Sequence, residues 1–512
     1  MPETNNKTIA KNTIMLYFRM MITMSVSLFT SRVILQTLGV DDYGLYQAVG
    51  GVVGFMGFLN GALSTGSSRF LTFALGENNS EKLKRTFSTT LSIHIILALL
   101  IVLVGETIGL WFLHTKLVIP ESRMVAAEYC YHLSIVTAAV TITQVPYSAT
   151  IISHERMGLY AYVSIVEVIL KLLIVYLLYI GNFDKLMLYA TLILIVGVGM
   201  QLFYRWYCVK HFPECKYHFI LDKKLFSEIG KFSGWSLFAN CSIALNSQGI
   251  LILLNMFFSP AVVAARAISL QVNGIIGQFV NNFRTAANPQ ITKRYAAGDF
   301  DGSKSLLLQS TMFSYYLFLQ IGVPVIFTAG ELLHLWLGIV PDYTVLFLQL
   351  IIVQNFFQVF DLSFFQALYA KGRLRENALI SPTIGFLRFP IIYILFKMGY
   401  SPLWLSYLSI VSYFLLGCLV KPILLVRICD YQLCDFKQLF FRCFLVTVLS
   451  LPIPLLCYFY TQQHVSFELL RFLMMGTISV LSTAVVIWCV GIEKQYRKKL
   501  LSIAIGKIKR NN

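Results

Sequence analysis

Charged residues are scarce in this chain. Asp, Glu, Lys and Arg supply 13% of its 512 residues, about half the share of an ordinary soluble domain. That deficit excludes a soluble enzyme and a disordered chain, both of which need far more polar surface to stay in water. Acidic residues are the scarcer sign, 24 against 41 Lys and Arg, which leaves a formal charge of +17. Nucleic acid is not the expected partner, because there is too little polar surface on which to spread a basic patch. The 10 cysteines lie mostly within or beside apolar runs and form no CxxC pair. A secreted disulfide scaffold is therefore excluded, and no His, Cys or carboxylate cluster has metal-ligand spacing. A Walker A motif is also missing: the string from Gly298 to Ser305 has the wrong spacing and sits in a short turn. No catalytic residue, cofactor or metal is expected.

What fills the chain is apolar: 57% of residues are hydrophobic and the mean hydropathy is +0.71. A helix needs about 20 apolar residues to cross the hydrocarbon core. Such runs fall at 12–37, 44–70, 86–113, 124–147, 157–180, 186–208, 232–256, 263–287, 305–330, 343–369, 378–397, 403–426, 438–460 and 469–490. The expected fold is an all-α integral membrane protein of about 14 transmembrane helices. Alternating short strands of the β-barrel kind are not seen. Loops carrying Lys82, Lys84, Arg85, Lys223, Lys224, Lys293, Arg294, Lys371 and Arg373 alternate with loops carrying only Lys116, Arg123, Lys185 and Lys397. By the positive-inside rule the first set is cytoplasmic, as are both termini.

The two halves match at an offset near 222: Asn60, Gly76 and Ser88-Thr89 face Asn282, Gly298 and Ser310-Thr311. Later the offset becomes 217, where Glu155-Arg156-Met157 faces Gly372-Arg373-Leu374, Lys171 faces Arg388 and Tyr176 faces Tyr393. A repeat of six spans keeps its orientation in the membrane, so the copies are expected to be related by an axis along the membrane normal. The expected organisation is a six-helix bundle over 1–208, an amphipathic cytoplasmic linker over 209–231, and a second bundle over 232–426. Two further helices occupy 427–490, and a basic amphipathic tail over 491–512 is suited to anionic phospholipid.

Charges inside spans are costly to insert, so they mark a cavity or a partner. Arg19 and Arg32 fall in span 1, Glu167 and Lys171 in span 5, Asp361 in span 10 and Arg388 in span 11; Arg266 and Arg284 lie near the ends of span 8. Lys171 and Arg388 are equivalent in the repeat and close to mid-span. Cations converging there would line a basic cavity suited to phosphate, since Arg offers paired donors and Lys a point charge. Glu167 precedes Lys171 by four residues, the favourable order for a helical ion pair, and Asp361 is a candidate partner for Arg388. Arg266 and Arg284 are near enough to span ends to reach the interface. His94, in span 3, is expected to be a hydrogen-bonded helix residue. Asp41-Asp42 opens a second reading, a membrane glycan polymerase or glycosyltransferase with an acidic pair in an external loop. No large external loop is present to hold an acceptor, and an acidic pair after Gly39 also suits a helix start.

The stretch Ser31-Arg32-Val-Ile-Leu-Gln-Thr-Leu-Gly39-Val-Asp-Asp-Tyr43-Gly44-Leu-Tyr46 resembles the end of the first span in Wzx-type polysaccharide flippases. These belong to the multidrug/oligosaccharidyl-lipid/polysaccharide (MOP) exporter superfamily, which also contains MATE-like drug antiporters. Gly230-Lys-Phe-Ser233 is similar to that group as well. The resemblance implies flipping of an undecaprenyl-pyrophosphate-linked oligosaccharide across a bacterial inner membrane for O-antigen or capsule synthesis. It implies a role for Arg32, which matches the recurrent Arg before Leu-Gly. Proton or sodium coupling through Glu167 or Asp361 would fit relatives, as would work beside a polysaccharide polymerase and chain-length machinery. The chain itself is expected to be a monomer.

Overall fold

The computed structural model describes residues 3–497, apart from 56–66, 68–69, 76, 78, 155, 179–182, 219–221, 223, 230–239, 243 and 494–496. Among the described residues the chain is helical throughout, without a strand. In lipid there is no water to satisfy an exposed peptide group, and helices satisfy theirs internally. The helices are α1 (Glu3–Leu38), α2 (Val40–Phe55), α3 (Ser80–Lys116), α4 (Glu121–Ser153), α5 (Met157–Leu177), α6 (Lys185–His211) and α7 (Asn240–Phe257). They continue with α8 (Pro260–Ala296), α9 (Phe300–Phe327), α10 (Thr344–Ala370), α11 (Leu374–Lys397), α12 (Trp404–Cys429), α13 (Leu433–His464) and α14 (Glu468–Gly491). Twelve are long and apolar enough to cross a membrane; α2, which runs up to residues outside the described set, and α5 are not among them.

Sequence sets the helix starts. Asn79 accepts from the Lys82 amide at 3.0 Å to cap α3, and Asp299 accepts from the Gly302 amide at 2.9 Å to cap α9. These caps occupy the two loops matched by the repeat, so the shared character of those loops has a physical cause. Of the residues paired in that match, Asn60, Gly76 and Glu155 lie outside the described residues, as do Gly230–Ser233 and the tail beyond 497.

By packing, the chain falls into two units, one of residues 1–267 with 385–402 and one of 268–384 with 403–512. In the first, α4 packs against α2, α3 and α6, α1 packs along α5, and α2 packs against α7. One core cluster gathers Phe87, Leu91, Tyr147, Ile151, Tyr204 and Phe212. A second gathers Leu45, Val49, Leu113, Ala127, Tyr131 and Leu186. In the second unit α10 packs between α9 and α12, while α13 and α14 pack against each other and onto α9. Its core is aromatic: Phe360 stacks on Tyr315 at 5.2 Å and meets Phe440 edge-on at 4.9 Å, and Phe364 meets Phe436 at 5.2 Å. Such offset and edge-to-face pairs add to what their burial contributes.

Candidate functional site

The resemblance motif is a folded corner of the first unit. Gly39 has φ +84°, a conformation costly for any side chain, and it separates α1 from α2. Gly44 sits so close to the start of α8 that a Cβ there would overlap the Pro260 carbonyl. Asp42, between them, is clamped by Arg123: Nε donates to Oδ1 at 2.8 Å and Nη2 to Oδ2 at 2.6 Å. Nη1 of the same guanidinium donates to Asp184 Oδ2 at 2.6 Å. Asp184 also accepts from the Leu186 and Met187 amides, which makes it the N-cap of α6. One Arg thus ties the starts of α2, α4 and α6. Burial pushes the Asp42 carboxyl above its usual range despite Arg123. Burial acts on Asp184 in the same sense, but the Arg123 hydrogen bonds and the two backbone donors outweigh it and hold that carboxyl below its usual range. The two partners of one Arg differ because only Asp184 has the backbone amides. Asp42 is thus occupied as an ion-pair partner, while Asp41 is exposed.

Deeper in the same unit lie the cations singled out in the sequence. Arg32 is half-buried near the end of α1, and the α5 against which α1 packs carries Glu167 and Lys171. That pair is formed, with Nζ 2.7 Å from Oε1, and Lys171 keeps 43% of its side chain accessible. Arg388 is buried, at 6% exposure, on the part of α11 that belongs to this unit. There α11 lies against α7: a Cβ on Gly385 would stand 2.7 Å from Asn246 Nδ2, and one on Gly249 would stand 3.2 Å from the Phe389 ring. Around Asn246, α7 widens into a π turn over Leu245–Gly249, a feature often found at functional sites. Asn246 donates to the Ser242 carbonyl at 2.8 Å, and the Gln248 side chain faces Gly51 and Gly54 of α2. The α7 polar run Ser242–Gln248 was not read as a site from sequence, although two amides and two hydroxyls within one apolar span were a visible signal. Arg266 is also buried in this unit. Arg19 lies on α1, in the part whose side chains are outside the described residues.

The second unit holds Asp361 and Arg284. Asp361, on α10, is paired not through the candidate partner named above but with Lys421 of α12, Nζ to Oδ1 at 3.2 Å. Both are buried, with side-chain exposures of 10% and 1%. The Lys421 ammonium also lies 5.9 Å from the Phe365 ring. Lys421 went unread in the sequence, though it stands inside the apolar run 403–426. Arg284 donates to Asn281 one turn earlier on α8, at 2.9 Å. Among the remaining charges, His94 is buried and its Nδ1 lies 2.8 Å from the Thr90 carbonyl, as a helix-bonded histidine. Glu106 pairs with His132 at 2.8 Å. Among the described residues no group of three His, Cys, Asp or Glu is arranged to hold a metal.

No family model matches the chain. The lipid II flippase MurJ in an inward closed conformation superposes with a TM-score of 0.71 at 14% identity, covering 93% of this chain and 98% of that one. The fold is shared with this flippase and with a transporter of the MOP superfamily. An inward-facing multidrug resistance MATE family transporter of that superfamily gives a TM-score of 0.64 at 15% identity, over 81% of this chain and 98% of its own. Among curated sequences the chain is similar to the uncharacterized membrane protein EpsK of Bacillus subtilis (strain 168), 19% identical over 424 residues, 80% of this chain and 82% of the relative. Both solved structures are membrane transport proteins, and the likeness to them is one of fold.

Proposed function

We propose that the chain flips an undecaprenyl-pyrophosphate-linked oligosaccharide from the cytoplasmic to the outer leaflet of a bacterial inner membrane, with both termini inside, for O-antigen or capsule synthesis. The observation that carries the reading is coverage: the MurJ likeness takes in 93% of this chain, whereas the MATE likeness takes in 81%. A lipid II flippase is thus the fuller structural counterpart, and its printed substrate is a lipid. In this reading Arg32, Lys171 and Arg388 bind the pyrophosphate and first sugars in a cationic cavity, assisted by Arg19, Arg266 and Arg284, and alternating access exchanges the exposed side. The lipid tail stays in the bilayer. Arg and Lys at bilayer depth suit an anionic headgroup and repel the cationic drugs expected of a MATE-like antiporter. Coupling to H+ or Na+ would involve Glu167 or Asp361, each held beside a lysine. A polymerase and chain-length machinery would receive the product.

The test is a sidedness assay of lipid-linked repeat units in cells deleted for the gene. Single units accumulating on the cytoplasmic leaflet are expected. Units that reach the outer leaflet but fail to polymerise would overturn the reading.

A further inference from the structure

The two C-terminal helices complete a second site. Where α13 and α14 meet the C-terminal end of α9, the short helix Ala329–Leu337 and the N-terminal end of α10, they line an open cavity of about 500 Å³, within the range of small-molecule sites. Its apolar wall is two half-buried rings, Phe327 and Tyr458, with centroids 6.1 Å apart. Its polar wall carries Glu331, His334, Gln349, Gln462, Ser466, Glu468 and Arg471. The guanidinium and amide donors on that wall are already engaged. Arg471 gives Nη1 to Gln462 Oε1 at 2.9 Å and to Glu331 Oε1 at 3.4 Å, and Nε and Nη2 to the Val465 carbonyl. Gln462 Nε2 goes to Glu331 Oε1 at 3.2 Å, and Gln349 Nε2 to the Ile326 carbonyl at 2.9 Å. The buried Glu331 carboxylate is fixed in place by this arrangement, and Glu468 is approached by His334 at 3.4 Å. What the wall offers a ligand is chiefly acceptor oxygen, the second oxygens of two carboxylates and the Gln349 amide oxygen, with the Ser466 hydroxyl and the His334 ring in the same lining and two aromatic faces beside them.

We propose that this pocket binds a saccharide. A sugar ring is rich in hydroxyl donors on its edge and carries C–H faces that stack on aromatic rings, the complement of this lining. The second oxygens of Glu331 and Glu468 accept ring hydroxyls, and the ring face lies on Tyr458. The site rests on the flippase reading only in naming that saccharide as cargo, received at the end of the molecule that the charge bias places outside.

The experiment is saturation-transfer NMR on the purified full-length protein in nanodiscs, with N,N′-diacetylchitobiose and lactose as probes and spermidine as a cationic competitor. Transfer to ring C–H protons of at least one disaccharide is expected, about five-fold weaker in Tyr458→Leu and in Glu468→Gln. The half-buried Glu468→Gln change, isosteric with the native side chain, keeps the test decisive if the Tyr458 variant does not fold. No transfer from either sugar, transfer unchanged in Glu468→Gln, or spermidine binding without sugar binding would each overturn the proposal. Binding is read without transport, so loss of the flippase reading in the sidedness assay and loss of this site are separate outcomes.

Discussion

Arg123 illustrates how one side chain can set a whole corner. Its three close contacts consume most of a guanidinium's donors, on carboxylates that are less than one-third exposed. Replacing it by Ala leaves Asp42 and Asp184 facing each other without a counter-charge. Arg123→Ala is expected to cost about 1–3 kcal/mol, read as a lowered Tm in detergent. The two acids differ in sign. Asp184 has a depressed folded-state pKa, so its stabilisation is present above the unfolded carboxylate value and disappears as pH falls through the folded one. Asp42 has a raised folded-state pKa, so its ionised form costs stability at neutral pH, and that cost is relieved as pH falls through the raised value. Asp184→Asn should therefore lower Tm at neutral pH by an amount that fades toward strong acid. Asp42→Asn should show no such fading. If both variants track the wild-type pH profile in parallel, the assignment is wrong. Gly44→Ala probes the same corner sterically. Its methyl group would meet backbone rather than a flexible tip, and an overpacking cost of about 1–3 kcal/mol is expected.

At the scale of elements, what was legible and what was not divide by range. Helix existence came from continuous apolar runs; the caps at Asn79 and Asp299 went unread, although each is decided within a few residues of chain and the likeness of the two loops was seen. The Glu167–Lys171 pair was legible for the same reason, lying four residues apart on one helix. Partners on different helices were not. Asp361 was visible as a buried acid, yet its neighbour Lys421 stands 60 positions away in an unrelated run, and only the packing of α10 on α12 joins them. The Arg123 clamp was hidden in the same way: its three charges stood in three separate turns. A buried pair makes a distinctive prediction, since removing one partner strands the other. Lys421→Met or Asp361→Leu alone should each cost about 3–5 kcal/mol, whereas the double replacement should recover most of the loss. A double-mutant cycle on Tm checks this, and additive losses would show that the two side chains do not act as a pair.

For the whole molecule, the proposed function divides the basic excess into charges that orient the chain and charges that bear on cargo. On the proposed topology the loop lysines only orient the chain, and neutralising any one of them should leave transport intact. The cations within the first unit are different: Lys171 keeps 43% of its side chain accessible although Glu167 already satisfies it, and Arg388 is buried at a matched repeat position. A purely structural pair of the exposed i, i+4 kind is worth about 0.2–0.5 kcal/mol, too little to justify its insertion cost of about 2.5–3.5 kcal/mol per charge. If the cations bind the pyrophosphate, Lys171→Ala with Arg388→Ala should reduce outward flipping at least about ten-fold while Tm changes little, and Lys171→Arg should restore most of it. Glu167→Gln discriminates further. It removes the pair but not the cation, so flipping should survive if Glu167 is only a neighbour and collapse if it also carries the coupling proton. Normal flipping by the double alanine variant, measured by the same sidedness assay, would remove the midplane cations from the mechanism.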